Sequence, residues 1–234
     1  MVKAGVCKTL ITGSNPVVAS ISTENGARTA NRAPAFTSIM LEDNARAVLT
    51  RLEEADARER HDGVERHARL RQITPEVGRF LHTLVLAVRP KRILEIGTSG
   101  GYSTIWLAAA AREAGATVTS VEIDPAKVRL ASANLAEAGV DDIVELVEGD
   151  AFGYLQGRPG IFDFVFLDAE KEDYDAFLDR IVDLLPEGGV LVADNLTSHA
   201  DELAGFRDRA ETHPRLSSVV VPIGRGELLA VKTA

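Results

Sequence analysis

Apolar residues first fall into order near Leu41. In "LEDNARAVLTRLEEADARER", Leu41, Ala45, Val48, Leu49 and Leu52 recur at helical spacing along a charged segment, which predicts an amphipathic helix with one buried stripe. Thr74-Pro75-Glu76 sets a second helix start, with threonine as N-cap and proline in the first turn. That helix runs through "VGRFLHTLVLAV" and stops before Pro90. Beyond Pro90, short apolar runs alternate with helical stretches. The runs "RILEI" (92–96), "TVTSVEI" (117–123), "IVELVE" (143–148), "FDFVFLD" (162–168) and "GVLVAD" (189–194) read as strands. Between them, 102–114, 125–138, 150–157 and 172–185 read as helices. Near-continuous apolar strands alternating with helices predict a parallel sheet covered on both faces. The chain ends differently: "LSSVVVPI" and "GELLAVK", joined at Gly224-Arg225-Gly226, read as a hairpin, so one of the two strands must run antiparallel to the rest. The expected architecture is α/β, a doubly wound, mostly parallel seven-stranded sheet with one antiparallel strand near its edge and helices at the N-terminal end. Ligands are expected at the carboxyl ends of the strands.

Residues 1–39 follow neither period. They are rich in Ser, Thr, Asn, Gly and Ala and read as a disordered extension ahead of a single domain at 40–234. "GSNP", Gly13 to Pro16, is also what GGT-TCG-AAT-CC encodes, a sequence resembling the T-arm of tRNA genes, so a start codon placed too early, with Met40 as the true start, is the sharper reading. Lys3, Lys8 and "LITGSNPVVAS" imitate a signal peptide, but Gly13, Asn15 and Pro16 interrupt its apolar stretch. The lone Cys7 cannot form an internal disulfide and no apolar run has the length of a membrane span, so the cytoplasm is the expected location. A net charge of −9 counts against a nucleic-acid partner, because binding phosphates needs a basic face.

The turn Gly97-Thr98-Ser99-Gly100-Gly101 follows the first strand and opens a helix. Its glycines allow close backbone approach, and the helix start offers free N–H groups. The dinucleotide spacing G-x-G-x-x-G is absent. Glu95, just ahead of the turn, is a poor neighbour for a pyrophosphate and a good one for a cationic ligand such as the sulfonium and ammonium of S-adenosylmethionine. Glu122 ends the second strand, where a carboxylate accepts both ribose hydroxyls or serves only as a cap. Asp150 ends the third, as a partner for the adenine amino group or as an N-cap. Acids at three successive strand ends favour the adenosyl reading.

The fourth and fifth strands end in Asp168-Ala169-Glu170-Lys171 and Asp194-Asn195. Two carboxylates and an amide carbonyl form an all-oxygen half-shell suited to Mg²⁺, and no Cys or His cluster suggests zinc. Such an ion holds two adjacent hydroxyls and acidifies one. Lys171, one turn from Asp168, is placed to take the proton, although Glu170, Glu172 and Asp173 equally suit a solvated face.

"ILEIGTSGGYST", "VEIDP", "EGDA", "FDFVFLDAEKEDY", "VADN" and "PIGRGELLAVK" together resemble the cation-dependent O-methyltransferases, the family of catechol and caffeoyl-CoA O-methyltransferases and their bacterial members, over Ile73 to Lys232. The resemblance implies a Rossmann-like class I methyltransferase fold and S-adenosylmethionine with Mg²⁺, Mn²⁺ or Ca²⁺. It implies cofactor contacts at Ile73, Glu95, Gly97, Thr98, Ser103, Glu122, Asp150, Ala151 and Asp168. It further implies metal ligands Asp168, Asp194 and Asn195, Lys171 as the base acting beside Asp168, a phenolic small-molecule substrate, and a homodimer. Two departures stand out. Glu170 replaces an aspartate common in bacterial members and is expected to face outwards. "LTSHADEL" stands where many relatives carry an aromatic substrate loop, and with Trp106 on a core face no stacking wall is visible. His199 either replaces that wall, acts on the substrate, or caps the next helix. The leading function is methyl transfer to a small vicinal-dihydroxy aromatic. The alternatives are a hydroxylated tRNA uridine as acceptor, for which "RERHDGVERHARLR" (58–71) offers a basic patch; a nicotinamide-dependent oxidoreductase; and a non-catalytic adenosyl-binding module.

Overall fold

A computed structural model describes residues 41–65, 69–156 and 162–234. The expectations for residues 1–39, Cys7 among them, lie outside the described residues, as does part of the basic stretch 58–71. Two helices come first. Helix α1 (Asp43–His61) buries the expected stripe of Ala45, Val48, Leu49 and Leu52. Helix α2 (Pro75–Val88) starts at Thr74, whose side chain accepts from the Val77 N–H, and ends at Arg89 in a left-handed conformation just before Pro90.

The sheet follows: β1 (Arg92–Ile96), β2 (Thr117–Glu122), β3 (Val144–Glu148), β4 (Phe164–Leu167), β5 (Val190–Ala193), β6 (Leu216–Val221) and β7 (Glu227–Lys232). Its strand order is β3-β2-β1-β4-β5-β7-β6. The first five strands pair in parallel, while β7 runs antiparallel to both β5 and β6. The expected antiparallel strand is therefore β7, one place in from the edge. Between the strands lie α3 (Tyr102–Ala114), α4 (Pro125–Ala138), α5 (Ala151–Tyr154), α6 (Tyr174–Leu184) and α7 (Ala204–Thr212).

Every residue of β4 and β5 is buried, as a sheet covered on both faces requires. One core unites α1, α2 and α3 with residues such as Ile93, Phe164 and Phe166; the other packs Phe177, Ile181 and Phe206 against Leu94, Val165 and Leu191. Alternate residues of β1 and β4 thus feed opposite cores.

Several boundaries differ from the sequence reading. The helix expected over 150–157 shortens to the four residues of α5, because Asp150 caps its start and Leu155 already closes it. Ile143 belongs to a 3₁₀ turn (Asp141–Ile143) rather than to β3. Phe162 and Asp163 precede β4, where the Asp163 carboxylate accepts from the Lys91 and Arg92 N–H groups at 2.8 and 2.9 Å. Helix α7 was absent from the periodic pattern because it buries only Phe206 and Ala210. Its N-cap position is Leu203, so His199 does not cap it.

Candidate active site

The carboxyl ends of β1 to β5 open into a cleft of about 580 Å³. Its floor is the glycine turn. Gly97, at φ +99°, lies so close to β4 that a Cβ there would sit 2.3 Å from the Asp168 carbonyl oxygen. The Ser99 N–H donates to Glu122 Oε2 at 2.8 Å, and the Ser99 hydroxyl donates to the Leu70 carbonyl at 2.5 Å. Glu122 Oε1 accepts from the Asp124 N–H at 2.9 Å, so the acid at the end of β2 is held from both sides by backbone. Asp124 itself N-caps α4, accepting from the Ala126 N–H at 2.8 Å.

Of the residues expected to touch a cofactor, Gly97, Thr98, Glu122, Asp150, Ala151 and Asp168 line the cleft. Asp150 also caps α5, accepting from the Phe152 and Gly153 N–H groups at 3.2 and 2.9 Å. Ile73, Glu95 and Ser103 lie behind the wall: Ile73 is packed into the core, and Ser103 bonds Glu95. Glu95 is fully buried, with Thr104 and Ser120 hydroxyls donating to Oε2 at 2.5 Å each, while Oε1 has no partner among the described residues. Burial raises its pKa to about 7, partly offset by these hydroxyl donors. Glu95 can therefore reach a cation in the cleft only through its charge, from behind the turn.

At the ends of β4 and β5 the expected ligand set does converge. Lys171 Nζ donates to Asp168 Oδ1 at 3.0 Å and Asn195 Nδ2 to the same oxygen at 3.2 Å. Asp194 is buried beneath them, with Oδ1 accepting from the Asn195 N–H at 2.6 Å and Oδ2 left without a donor. Burial, with the Asp194 charge adding to it, raises Asp168 to about pKa 6 against the pull of Lys171. Paired carboxylates and a buried acceptor with no donor are what a hard cation satisfies. The Asn195 amide presents nitrogen to Asp168; a half-turn of the amide presents its oxygen instead. Among the described residues no group of three His, Cys, Asp or Glu side chains forms a metal site, so the donor set here depends on Asn195.

Three residues were missed in the sequence. Tyr174, one turn beyond Lys171, accepts from its Nζ at 3.1 Å and donates to the Leu167 carbonyl at 3.1 Å. Its i, i+3 spacing from Lys171 was the available signal. Glu227 on β7 lies against Asp194, fully buried and without a donor for either oxygen; burial and the Asp194 charge push its pKa up to about 11. Arg225 reaches the cleft from the β6–β7 turn. Glu170 is exposed as expected, yet it is not idle: it pairs with Arg71 across the cleft mouth.

Comparison with known proteins identifies the family. The chain belongs to the O-methyltransferase family, whose sequence model matches residues 45–233. The family resemblance read from the motifs is thereby borne out. A catechol O-methyltransferase of Mycobacterium tuberculosis is 43% identical over 139 residues, which span 58% of this chain and 62% of that protein. A putative O-methyltransferase of Mycolicibacterium smegmatis is 31% identical over 192 residues, 76% of this chain and 89% of its own. The crystal structure of a Bacillus cereus O-methyltransferase in complex with SAH superposes with a TM-score of 0.69 at 26% identity, covering 85% of this chain and 95% of that one.

Proposed function

We propose that the protein transfers a methyl group from S-adenosylmethionine to one hydroxyl of a small vicinal-dihydroxy, catechol-like aromatic, with the help of a divalent cation. The observation that carries this reading is the adjacency of the glycine turn to Asp168. The cofactor floor and Asp168 are built on neighbouring strands, β1 and β4, within backbone contact.

Gly97, Thr98, Glu122, Asp150 and Ala151 form the cofactor wall, with Glu122 and Asp150 offering carboxylate oxygens to ribose hydroxyls and the adenine amino group. When bound, S-adenosylmethionine supplies a methyl group on a positively charged sulfur. Asp168, Asp194 and Asn195 would hold the cation, Mg²⁺ or else Mn²⁺ or Ca²⁺, which supplies the charge that binds two neighbouring hydroxyls and acidifies one. Lys171 takes the released proton at Nζ. Its Nζ lies 3.0 Å from Asp168 Oδ1, 3.0 Å from the Ala169 carbonyl and 3.1 Å from the Tyr174 hydroxyl, which hold it in place. Asp168 fixes the amine in the cleft and Tyr174 braces it from below. The principal contributions of the chain are alignment and charge placement.

Family membership sets the nicotinamide oxidoreductase aside. The uridine acceptor is the second reading: among the described residues of the basic stretch, Arg60 and Arg71 line the cleft paired with carboxylates, Asp56 and Glu170. A homodimer is part of the proposal and is read directly by sedimentation. The reaction is tested with labelled S-adenosylmethionine and 3,4-dihydroxybenzoate, with Mg²⁺ and with EDTA. Turnover that needs the metal, and falls by roughly 10²–10⁴-fold in Lys171→Ala, is expected. Asp168→Ala should abolish the metal response. Equal turnover in EDTA sinks the cation, and tight S-adenosylhomocysteine binding without turnover sinks the catechol acceptor.

A further inference from the structure

The acceptor end of the cleft is walled by charge rather than by rings. Its aromatic lining residues among those described are Tyr102, whose hydroxyl donates to Glu53 at 2.7 Å, and Phe177, which stacks on Phe152 at 3.9 Å beside Ala151. Neither belongs to the turn that follows Asp194, nor to the one that joins β6 to β7. The side chains these two turns contribute are Asn195, Ser198, His199 and Arg225.

Arg225 differs from the other cations of the cleft. Arg60 pairs with Asp56, Arg71 with Glu170 and Lys171 with Asp168, and Arg69 donates to the Val64 carbonyl at 2.5 Å. Lys127, also without a direct partner, stands on α4 at the cofactor side. The Arg225 guanidinium lies near enough to Asp168 for its charge to oppose protonation there, yet it makes no hydrogen bond or ion pair with any described residue. Its backbone, by contrast, is pinned. The Arg225 carbonyl accepts from the Thr197 N–H at 2.9 Å, the Ser198 N–H at 3.1 Å and the Thr197 hydroxyl at 2.5 Å. Gly226, at φ +86°, lets Thr197 approach so closely that a Cβ would meet its Cγ2 at 2.4 Å. A half-buried guanidinium on a fixed backbone, with five donors unused, is a preorganised receptor for a planar anion.

We propose that Arg225 is a carboxylate receptor and that the methyl acceptor is accordingly an anionic catechol, a vicinal-dihydroxy ring bearing a carboxylate; this rests on the catechol reading above. A forked donor matches the two oxygens of a carboxylate and fixes the ring in its plane, the orienting role that a stacking wall would otherwise fill.

The test pairs 3,4-dihydroxybenzoate with its neutral isostere 3,4-dihydroxybenzamide on the full chain with Mg²⁺, in the wild type, Arg225→Ala and Arg225→Lys. The wild type is expected to favour the acid over the amide by about tenfold to a hundredfold in kcat/KM, carried by KM. In Arg225→Ala that ratio falls towards one, and in Arg225→Lys it recovers in part. Equal use of acid and amide by the wild type, or a loss in Arg225→Ala that is the same for both, overturns the proposal. Failure of both acceptors in the wild type overturns the catechol reading instead. Titration calorimetry with 3,4-dihydroxybenzoate, without metal or turnover, then decides Arg225 separately: binding that weakens at least tenfold in Arg225→Ala supports it, and absent or unchanged binding removes it.

Discussion

Replacing Gly97 by alanine presses a methyl group against the backbone that carries Asp168. The new Cβ would lie 2.3 Å from the Asp168 carbonyl oxygen, 2.8 Å from its carbon and 3.3 Å from the Ala169 nitrogen, all of them backbone atoms. Ordinary contact requires the two strand ends to part by roughly 1 Å. The φ of +99° adds strain that alanine relieves only by moving the turn. Backbone strain of about 1–3 kcal/mol and overpacking of about 1–3 kcal/mol together give a loss of roughly 2–6 kcal/mol. For a domain of this size that lowers the melting temperature by roughly 5–20 °C. Survivors at low temperature should also turn over about a hundredfold more slowly, because a displacement near 1 Å separates Asp168 from the cofactor floor. Calorimetric melting and the labelled methyl-transfer assay read the two effects separately. A Gly97→Ala protein that melts and turns over with the wild type would show that the turn does not hold Asp168, and the adjacency argument would fall.

Two further outcomes are expected. The folded pKa of Glu95, about 7, lies above its ordinary value, so its contribution to stability is complete below about pH 4.5 and is lost as the pH rises through 7, by at most about 1.4 kcal/mol per unit. Melting temperatures over that window should therefore flatten in Glu95→Gln, and cofactor uptake near pH 6 should release a proton in the wild type alone; identical proton release in both, by calorimetry in buffers of differing ionisation heat, excludes the role given to Glu95. Asp150→Ala should cost about 1 kcal/mol through the lost cap of α5. If Asp150 also receives the adenine amino group, S-adenosylhomocysteine affinity drops at least tenfold on top of that, and a melting shift with intact affinity reduces Asp150 to a cap.

The acids at strand ends were legible because the local pattern alone locates a strand's last residue. Glu122, Asp150 and Asp168 reached the cleft on that basis, and Asn195 beside the buried Asp194 did so with them. What was illegible required contacts between distant parts of the chain. Ile73, Glu95 and Ser103 are buried and do not line the cleft, which only the tertiary packing reveals. Glu227 reads as an ordinary strand-start acid, and only the antiparallel pairing of β5 with β7 brings it against Asp194. Arg225 looked like a hairpin residue, since nothing local reveals that its carbonyl is tied to Thr197 and Ser198. Helix α7 shows the opposite limit: two buried side chains leave too narrow a stripe for any period to register.

The seam between β1 and β4 separates two halves that can vary independently. Backbone bonds cross it at the Asp168 N–H, 2.9 Å from the Ile96 carbonyl, in the middle of the sheet, where no loop length enters. The turns after β5 and between β6 and β7 lie outside that seam and are fastened to each other. Under the proposed reading, a lineage can therefore exchange acceptors by rewriting these two turns together while the line between donor sulfur and accepting oxygen is inherited unchanged. A change in only one of the turns would break their mutual fastening, so new specificities should arise as paired replacements.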